Sequence, residues 1–211
     1  MAVISQIKAT SDNVNYNIRD DYSIWGGRNY LLGTNNWYGW NKSSIVTFNE
    51  EIASWPDSTT QAWTVVRQVK IPQTFFFGND WTLSFEYRSD DWSDTTRQYL
   101  DITFYGSATE NGSRTKYLTL LSPSKNTELF PMPTSTWQKT AITIEDIQLS
   151  NFVSGSGDVN YCGVEFYNYT LNPIDIKHIK LEHGTKATDW SPAPEDIARF
   201  IGNETIELYS E

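Results

Sequence analysis

Trp81-Thr82-Leu83-Ser84-Phe85-Glu86-Tyr87-Arg88 alternates, with Leu83, Phe85 and Tyr87 on one side and Ser84, Glu86 and Arg88 on the other. Successive strand side chains point to opposite faces, so a period of two marks a half-buried β-strand. Residues 99–105 repeat the pattern: Leu100, Ile102 and Phe104 alternate with Tyr99, Asp101, Thr103 and Tyr105. Further strands are expected at 63–71, 116–121, 137–144, 159–167 and 174–181. Gly78-Asn79-Asp80, Glu110-Asn111-Gly112-Ser113 and Ser154-Gly155-Ser156-Gly157-Asp158 punctuate them, residue types that turn a chain. Helical periodicity is almost absent and no βαβ alternation occurs. Many short strands separated by turn clusters predict an all-β, two-sheet antiparallel sandwich.

The ends read differently. Residues 1–24 hold one weak hairpin-like stretch, at 4–18, and then Arg19-Asp20-Asp21, and are expected to be a connector. After Trp190, Ser191-Pro192-Ala193-Pro194 cannot continue a central strand, because two prolines remove two ladder donors. Residues 191–211 are therefore a second connector, with a short helix at 194–202 that has acids in its first turn and Gly202 near its end. That leaves 25–190 as the domain. No internal repeat is visible.

Composition excludes several partners. The 211 residues carry 16 Lys and Arg against 26 Asp and Glu, a net charge of −10. Phosphate recognition needs a basic face, so nucleic acid is excluded as a ligand, and anionic membranes are disfavoured. Met1-Ala2-Val3-Ile4-Ser5-Gln6-Ile7-Lys8 has no secretory pattern, and the densest apolar run, Phe75-Phe76-Phe77, ends at Gly78. The expectation is a soluble protein without membrane insertion. The single cysteine, Cys162, rules out an intrachain disulfide and a thiolate cluster, and its flanks suit a small buried hydrophobe.

Catalytic motifs are missing: there is no Gly-x-Ser-x-Gly, no phosphate-cradling loop and no His-Glu-x-x-His. The chain is read as no enzyme. His178 and His183 stand five apart, an odd spacing that sends them to opposite faces and argues against a shared metal; both are expected to be exposed. Glu86, Asp101 and Glu165 fall on non-core faces of expected strands. If those strands are neighbours, the acids share a surface with Arg88, Tyr99, Tyr105 and Tyr167. That surface could be a polar and aromatic ligand platform, a glycosidase-type carboxylate pair or an ordinary solvated sheet face. Of the 9 tryptophans, Trp37, Trp40, Trp55 and Trp92 lie in segments rich in Asn, Asp, Ser and Gly. Loop aromatics beside such residues suit sugars, the ring covering a pyranose face while amides and carboxylates take the hydroxyls; the alternative is partly buried loop packing. Trp63 divides evenly between the two. Trp81, Trp137 and Trp190 border strands and are expected to close the sandwich ends.

Three stretches resemble one family. Arg28-Asn29-Tyr30-Leu31-Leu32-Gly33-Thr34-Asn35-Asn36-Trp37 resembles the Asn-Leu-Leu opening of jelly-roll carbohydrate-binding modules, family 4/9 in type, found in tail and baseplate proteins of phages of Gram-positive bacteria. Tyr30 stands where leucine is common. Lys180-Leu181-Glu182, Gly184, Ala187-Thr188-Asp189-Trp190 and Pro192-Ala193-Pro194 are similar to the closing signature of the same modules. Ile4-Ser5-Gln6-Ile7-Lys8 and Tyr16-Asn17-Ile18-Arg19-Asp20 resemble the start of phage structural proteins. The middle, 41–172, matches in pattern alone.

The resemblance implies a jelly roll on a virion tail or baseplate, made in the host cytoplasm, that binds host cell-wall or capsular saccharide in a receptor-binding or adhesion role. Its partners would be other tail and baseplate proteins and further copies of itself. The alternatives are a tail component whose sandwich serves assembly alone and a glycan-degrading enzyme. Such modules often carry a structural calcium, for which Asp20, Asp21, Glu182 and Asp189 are available. Their ligand-contacting positions vary, so none transfers to this chain.

Overall fold

A computed structural model describes residues 27–57, 62–65, 69–70, 79–91, 100–107, 116–121, 132–146, 161–168, 172–194 and 196. Its strands in chain order are β1 (Asn41–Lys42), β2 (Thr47–Asn49), β3 (Ile52–Trp55), β4 (Ala62–Val65), β5 (Val69–Lys70), β6 (Trp81–Arg88), β7 (Leu100–Ser107), β8 (Lys116–Leu121), β9 (Gln138–Ile144), β10 (Tyr161–Asn168) and β11 (Ile174–His183). A front sheet runs β1-β4-β10-β7-β8, with β5 also paired to β10; a back sheet runs β2-β3-β11-β6-β9. All these pairings are antiparallel. The fold is the expected all-β jelly-roll sandwich.

Period-two patterns found the long strands. β6 and β8 occupy the residues expected, and the stretch 63–71 is β4 and β5, which share one edge of β10. β1, β2 and β3 were missed, because segments of two to four residues are too short to show a period.

The inward faces of both sheets fill one core. Leu83, Phe85 and Tyr87 of the back sheet and Ile102, Phe104, Val164 and Phe166 of the front sheet are all essentially buried. Phe85 meets Phe166 edge to face across the sandwich at 5.3 Å. Each such side chain contributes about 1.5–3 kcal/mol through burial. Burial also pushes the Tyr87 hydroxyl up to about 12.

Three of the loop tryptophans belong to this core. Trp37, Trp40 and Trp55 are 4%, 7% and 2% exposed, so the ligand role expected for them is corrected to packing. Trp55 ends β3, and its alternation with Ala53 turns both inward. Trp37 stacks on Phe48 at 4.8 Å and meets Trp40 edge-on at 4.7 Å, while Trp40 Nε1 donates to the Leu32 carbonyl at 2.9 Å. The turn that drives them inward hinges on Gly33, at φ 73°, where a Cβ would stand 2.3 Å from the Tyr38 carbonyl oxygen. Between the two buried indoles, Tyr38 is 59% exposed.

The opening and closing segments meet on the back sheet. Asn29 is fully buried, and its amide is saturated: it donates to Thr34 Oγ1 (3.0 Å) and the Ile179 carbonyl (2.9 Å), and accepts from the Leu31 and Leu181 amides (3.0 and 3.1 Å). Tyr30 N–H donates to the Leu181 carbonyl, so this segment pairs with an edge of β11. After β11 the chain turns at Gly184 and runs back over the outer face. Packing continues past 190: Ala193 is buried, and the Asp196 carboxylate accepts from the Gly33 N–H at 2.7 Å. Residues 1–24, with Asp20 and Asp21, the 197–202 part of the expected helix, and Trp92 and Tyr99 lie outside the described residues.

Candidate functional site

The two outer faces differ. On the back sheet, a bulge between Lys177 and Lys180 shifts the register of β11. Lys180 and Glu182 then face outward, yet are 1% and 0% exposed, because Thr188-Asp189 lies across them. Thr188 donates to both Glu182 oxygens, from its amide at 2.8 Å and its hydroxyl at 2.7 Å. The Lys180 ammonium stands 3.5 Å from Glu182 and donates to Thr188 Oγ1 and the Asp189 carbonyl. Desolvation lowers the Lys180 ammonium from its usual value, with Glu182 opposing the shift. A carboxylate engaged on both oxygens is spoken for, and Asp189 contributes its carbonyl to the same closure. Among the described residues no group of three His, Cys, Asp or Glu is placed to hold a metal.

Next to this strap lies a network that the spacing of residues did not show. His178, at φ 54° within the bulge, has Nδ1 3.0 Å from Glu86 Oε1 and Nε2 2.9 Å from Glu51 Oε2, and its ring stacks on Trp190 at 4.4 Å. Arg88 pairs with Asp175 at 3.0 Å, and the Arg88 and Lys177 cations stand 4.7 and 4.3 Å from the Trp137 ring centre. His183 lies on the opposite side, against Trp81 and Tyr30, and burial lowers its pKa. The two histidines do point to opposite faces, but neither is exposed as expected: both are half-buried.

The front sheet carries a different surface. Ile102, Phe104, Val164 and Phe166 turn inward, so Asp101, Thr103, Glu165 and Tyr167 turn outward, half-buried. The register sets Trp63, Tyr167 and Asp101 in one row across β4, β10 and β7. A second row holds Asn41, Val65, Glu165, Thr103 and Thr119, and a third Gly163, Tyr105 and Tyr117. Five strands abreast span about 19 Å at ~4.8 Å each. Four of the residues singled out in the sequence, Asp101, Tyr105, Glu165 and Tyr167, therefore share one face, and Trp63 stands in register with Tyr167.

Two members of the expected platform do not join them. Glu86 and Arg88 lie on the back sheet, paired as above, and the whole sandwich separates them from Asp101 and Glu165. Alternation reports which residues leave the core, but not which sheet they leave it from. Tyr105 is on the front face but only 1% exposed. Its ring lies over Gly163, where an added Cβ would come within 2.4 Å of the hydroxyl oxygen, so it packs against the sheet. The glycine opposite an aromatic was the sequence signal for this, legible once the register is known.

Asp101 is the electrostatic focus of the face. Burial raises its pKa above the usual carboxylate value, and a hydrogen bond from the Thr103 hydroxyl (3.2 Å) opposes the shift. Carboxylate and hydroxyl oxygens beside aromatic positions make a surface that accepts hydrogen bonds and stacks flat apolar faces.

No family model matches the chain, and no curated protein does. Several solved structures share a loose likeness. The tripod from the baseplate of bacteriophage Tuc2009 is 15% identical over 80% of this chain and 59% of that one, with a TM-score of 0.42. TmCBM61, solved in complex with β-1,4-galactotriose, is 12% identical over 74% of this chain and 98% of that one, at 0.38. The enzymatically active domain of bacteriophage CBA120 tailspike protein 4 is 12% identical over 72% of this chain, at 0.43. The match spans about a fifth of that tailspike chain, 21%. Identities and scores at this level assign neither a family nor an activity.

Proposed function

We propose that this chain is a non-catalytic saccharide-binding module of a phage tail or baseplate, and that host cell-surface saccharide lies on the outer face of its front sheet. The observation that carries the reading is the row Trp63, Tyr167 and Asp101 beside Glu165 and Thr103, on the sheet opposite the one where the Thr188–Trp190 segment lies over Lys180, Glu182 and His178. Aromatic positions next to half-buried hydrogen-bond acceptors are what a sugar requires, with its apolar C–H faces and its hydroxyl rims. The likeness of the opening and closing segments to phage carbohydrate-binding modules supports the setting. Affinity at a single site is modest, since each hydroxyl exchanges water for protein, and many copies on a virion raise the effective concentration. Segments 1–24 and 197–211 attach the module to its assembly.

A glycan array and pulldown with host cell walls test this, with the chain displayed in many copies. Tyr167→Ala is expected to reduce binding about tenfold or more, as the loss of a stacking aromatic does, while Arg88→Ala on the back sheet leaves it unchanged. Binding that survives Tyr167→Ala, or no binding to any saccharide or wall, overturns the reading. If Tyr38, Trp137 or the back-sheet charges carried binding to another tail protein instead, the array would stay silent and baseplate pulldown would succeed.

A further inference from the structure

On the back sheet, two carboxylates meet one imidazole. His178 Nδ1 stands 3.0 Å from Glu86 Oε1, and Nε2 stands 2.9 Å from Glu51 Oε2. An ionised carboxylate accepts hydrogen bonds and donates none. A neutral imidazole carries a single N–H, so it satisfies one carboxylate and turns a lone pair on the other. The imidazolium carries two N–H groups and satisfies both. Its ring also stacks on Trp190 at 4.4 Å, with the planes 21° apart, a contact that positive charge strengthens. The backbone is committed to this arrangement. His178 takes φ 54°, where residues other than glycine are uncommon, in a bulge that sets two residues of β11 opposite one of β6. Such a conformation persists where the surroundings over-determine the residue. We infer that His178 is a proton-operated clasp: charged, it fastens Trp190 and the β2–β3 turn to the back sheet, and uncharged, it releases them.

The neighbouring charges decide which contact gives way. Among the described residues, Glu50 and Glu51 come from the β2–β3 turn and Glu86 from β6, where Arg88 is taken up by Asp175. Lys177 of β11 stands 3.6 Å from Glu86 Oε2, Lys139 of β9 donates to the Thr188 carbonyl, and Asp189 adjoins Trp190. With its proton, His178 joins Lys177 in balancing Glu51 and Glu86; without it, one negative charge is left over. Glu86 retains Lys177, and the Glu51 side chain is the more exposed of the two, 42% against 26%. The neutral ring therefore keeps Nδ1–H on Glu86, aims its Nε2 lone pair at Glu51, and Glu51 swings into water. Closing takes up a proton, and histidine is the side chain that changes charge between about pH 5 and 8. The clasp is closed at the acidic side of that range and opens as pH rises. Lys180 and Glu182 hold Thr188 and Asp189 in either state, so what is freed begins at Trp190, on the way to the C-terminal segment. The clasp stands independently of a saccharide on the front sheet.

NMR of the intact chain at about pH 5.5 and about pH 8.5 reads the proton and the opening together. At the lower pH the His178 ring is expected to show two N–H groups, and at the higher pH one, on Nδ1. Trp190 Nε1 is buried and finds no acceptor among the described residues, so exchange of its proton with solvent reports opening directly. Its protection should fall about tenfold between the two pH values, beyond the intrinsic change in exchange rate, as one charged hydrogen bond is lost. The Trp40 indole, bonded to the Leu32 carbonyl, should keep its protection. Glu51→Gln offers Nε2 an amide donor, so it should keep Trp190 protected at the higher pH, where wild type has opened. His178→Asn, a residue that accepts positive φ, removes the titrating ring and should leave Trp190 equally protected at both. A single N–H on His178 at the lower pH overturns the inference. So does equal protection of wild-type Trp190 at both pH values, or a pH dependence that survives His178→Asn and belongs to Lys180.

Discussion

Asp101 occupies a position where ionisation has a cost. Its folded-state pKa is raised above 3.8 by burial, so between those two values the folded chain binds more protons than the unfolded one. Stability attributable to this group therefore falls as pH rises through that window, and at neutral pH the ionised carboxylate is a burden on the fold. Asp101→Asn should raise Tm at pH 7 in thermal melts, while reducing saccharide binding about tenfold, the amount a charge-assisted hydrogen bond contributes. A lowered Tm would mean that the carboxylate supports the sheet. Other residues were less legible in the sequence. Trp37, Trp40 and Trp55 looked like loop residues because their neighbours are polar, yet the turn at Gly33 carries the first two into the core and the alternation of β3 carries Trp55 there. The residue left outside, Tyr38, stood between two of them.

At the scale of elements, β11 and the strap after it explain the stretches that resemble a known opening and closing. Asn29 takes up four hydrogen bonds, including the Ile179 carbonyl and Leu181 amide that β3 does not reach. Lys180 and Glu182 face outward and would be ordinary surface charges but for Thr188-Asp189, which seals them from water. Glu182→Gln strands the Lys180 ammonium in a buried site, and should cost about 3–5 kcal/mol in denaturant unfolding. Replacing both partners, Lys180→Met with Glu182→Leu, should recover much of that loss, because no unpaired charge remains. A double variant as unstable as the single one would show that the Thr188 bonds, not the ion pair, hold the strap. The residue types were visible in the chain; their mutual contacts needed the bulge at Lys177/Lys180, which changes which residues of β11 face outward.

For the whole molecule, the ends of the sandwich set its tolerance of acid. His183 packs against Trp81 at 3.9 Å and Tyr30 at 5.2 Å, joining the opening segment, β6 and β11. Its folded-state pKa lies below 6.5, so on acidification the unfolded chain takes up a proton that the folded one refuses. Its contribution is complete above pH 6.5 and lost as pH falls toward the lowered value. Chemical denaturation across pH 7.5 to 4.5 should show wild type losing more stability than His183→Phe over this range. Equal slopes would remove His183 as the cause.

Period-two alternation over 81–88, 99–105 and 174–181 determined, without any structure, that this is a β-sandwich, because strand geometry imposes that period on any half-buried sheet. It also separated Asp101, Glu165 and Tyr167 from the core. Assigning them to one face, and moving Glu86 and Arg88 to the other, required strand order, which depends on pairing between residues up to about a hundred apart. Alternation is a local property of one strand, whereas a binding face is made by several strands brought side by side. The burial of Lys180 and Glu182 was likewise decided only by the tertiary fold, since it depends on where the chain goes after β11 has ended.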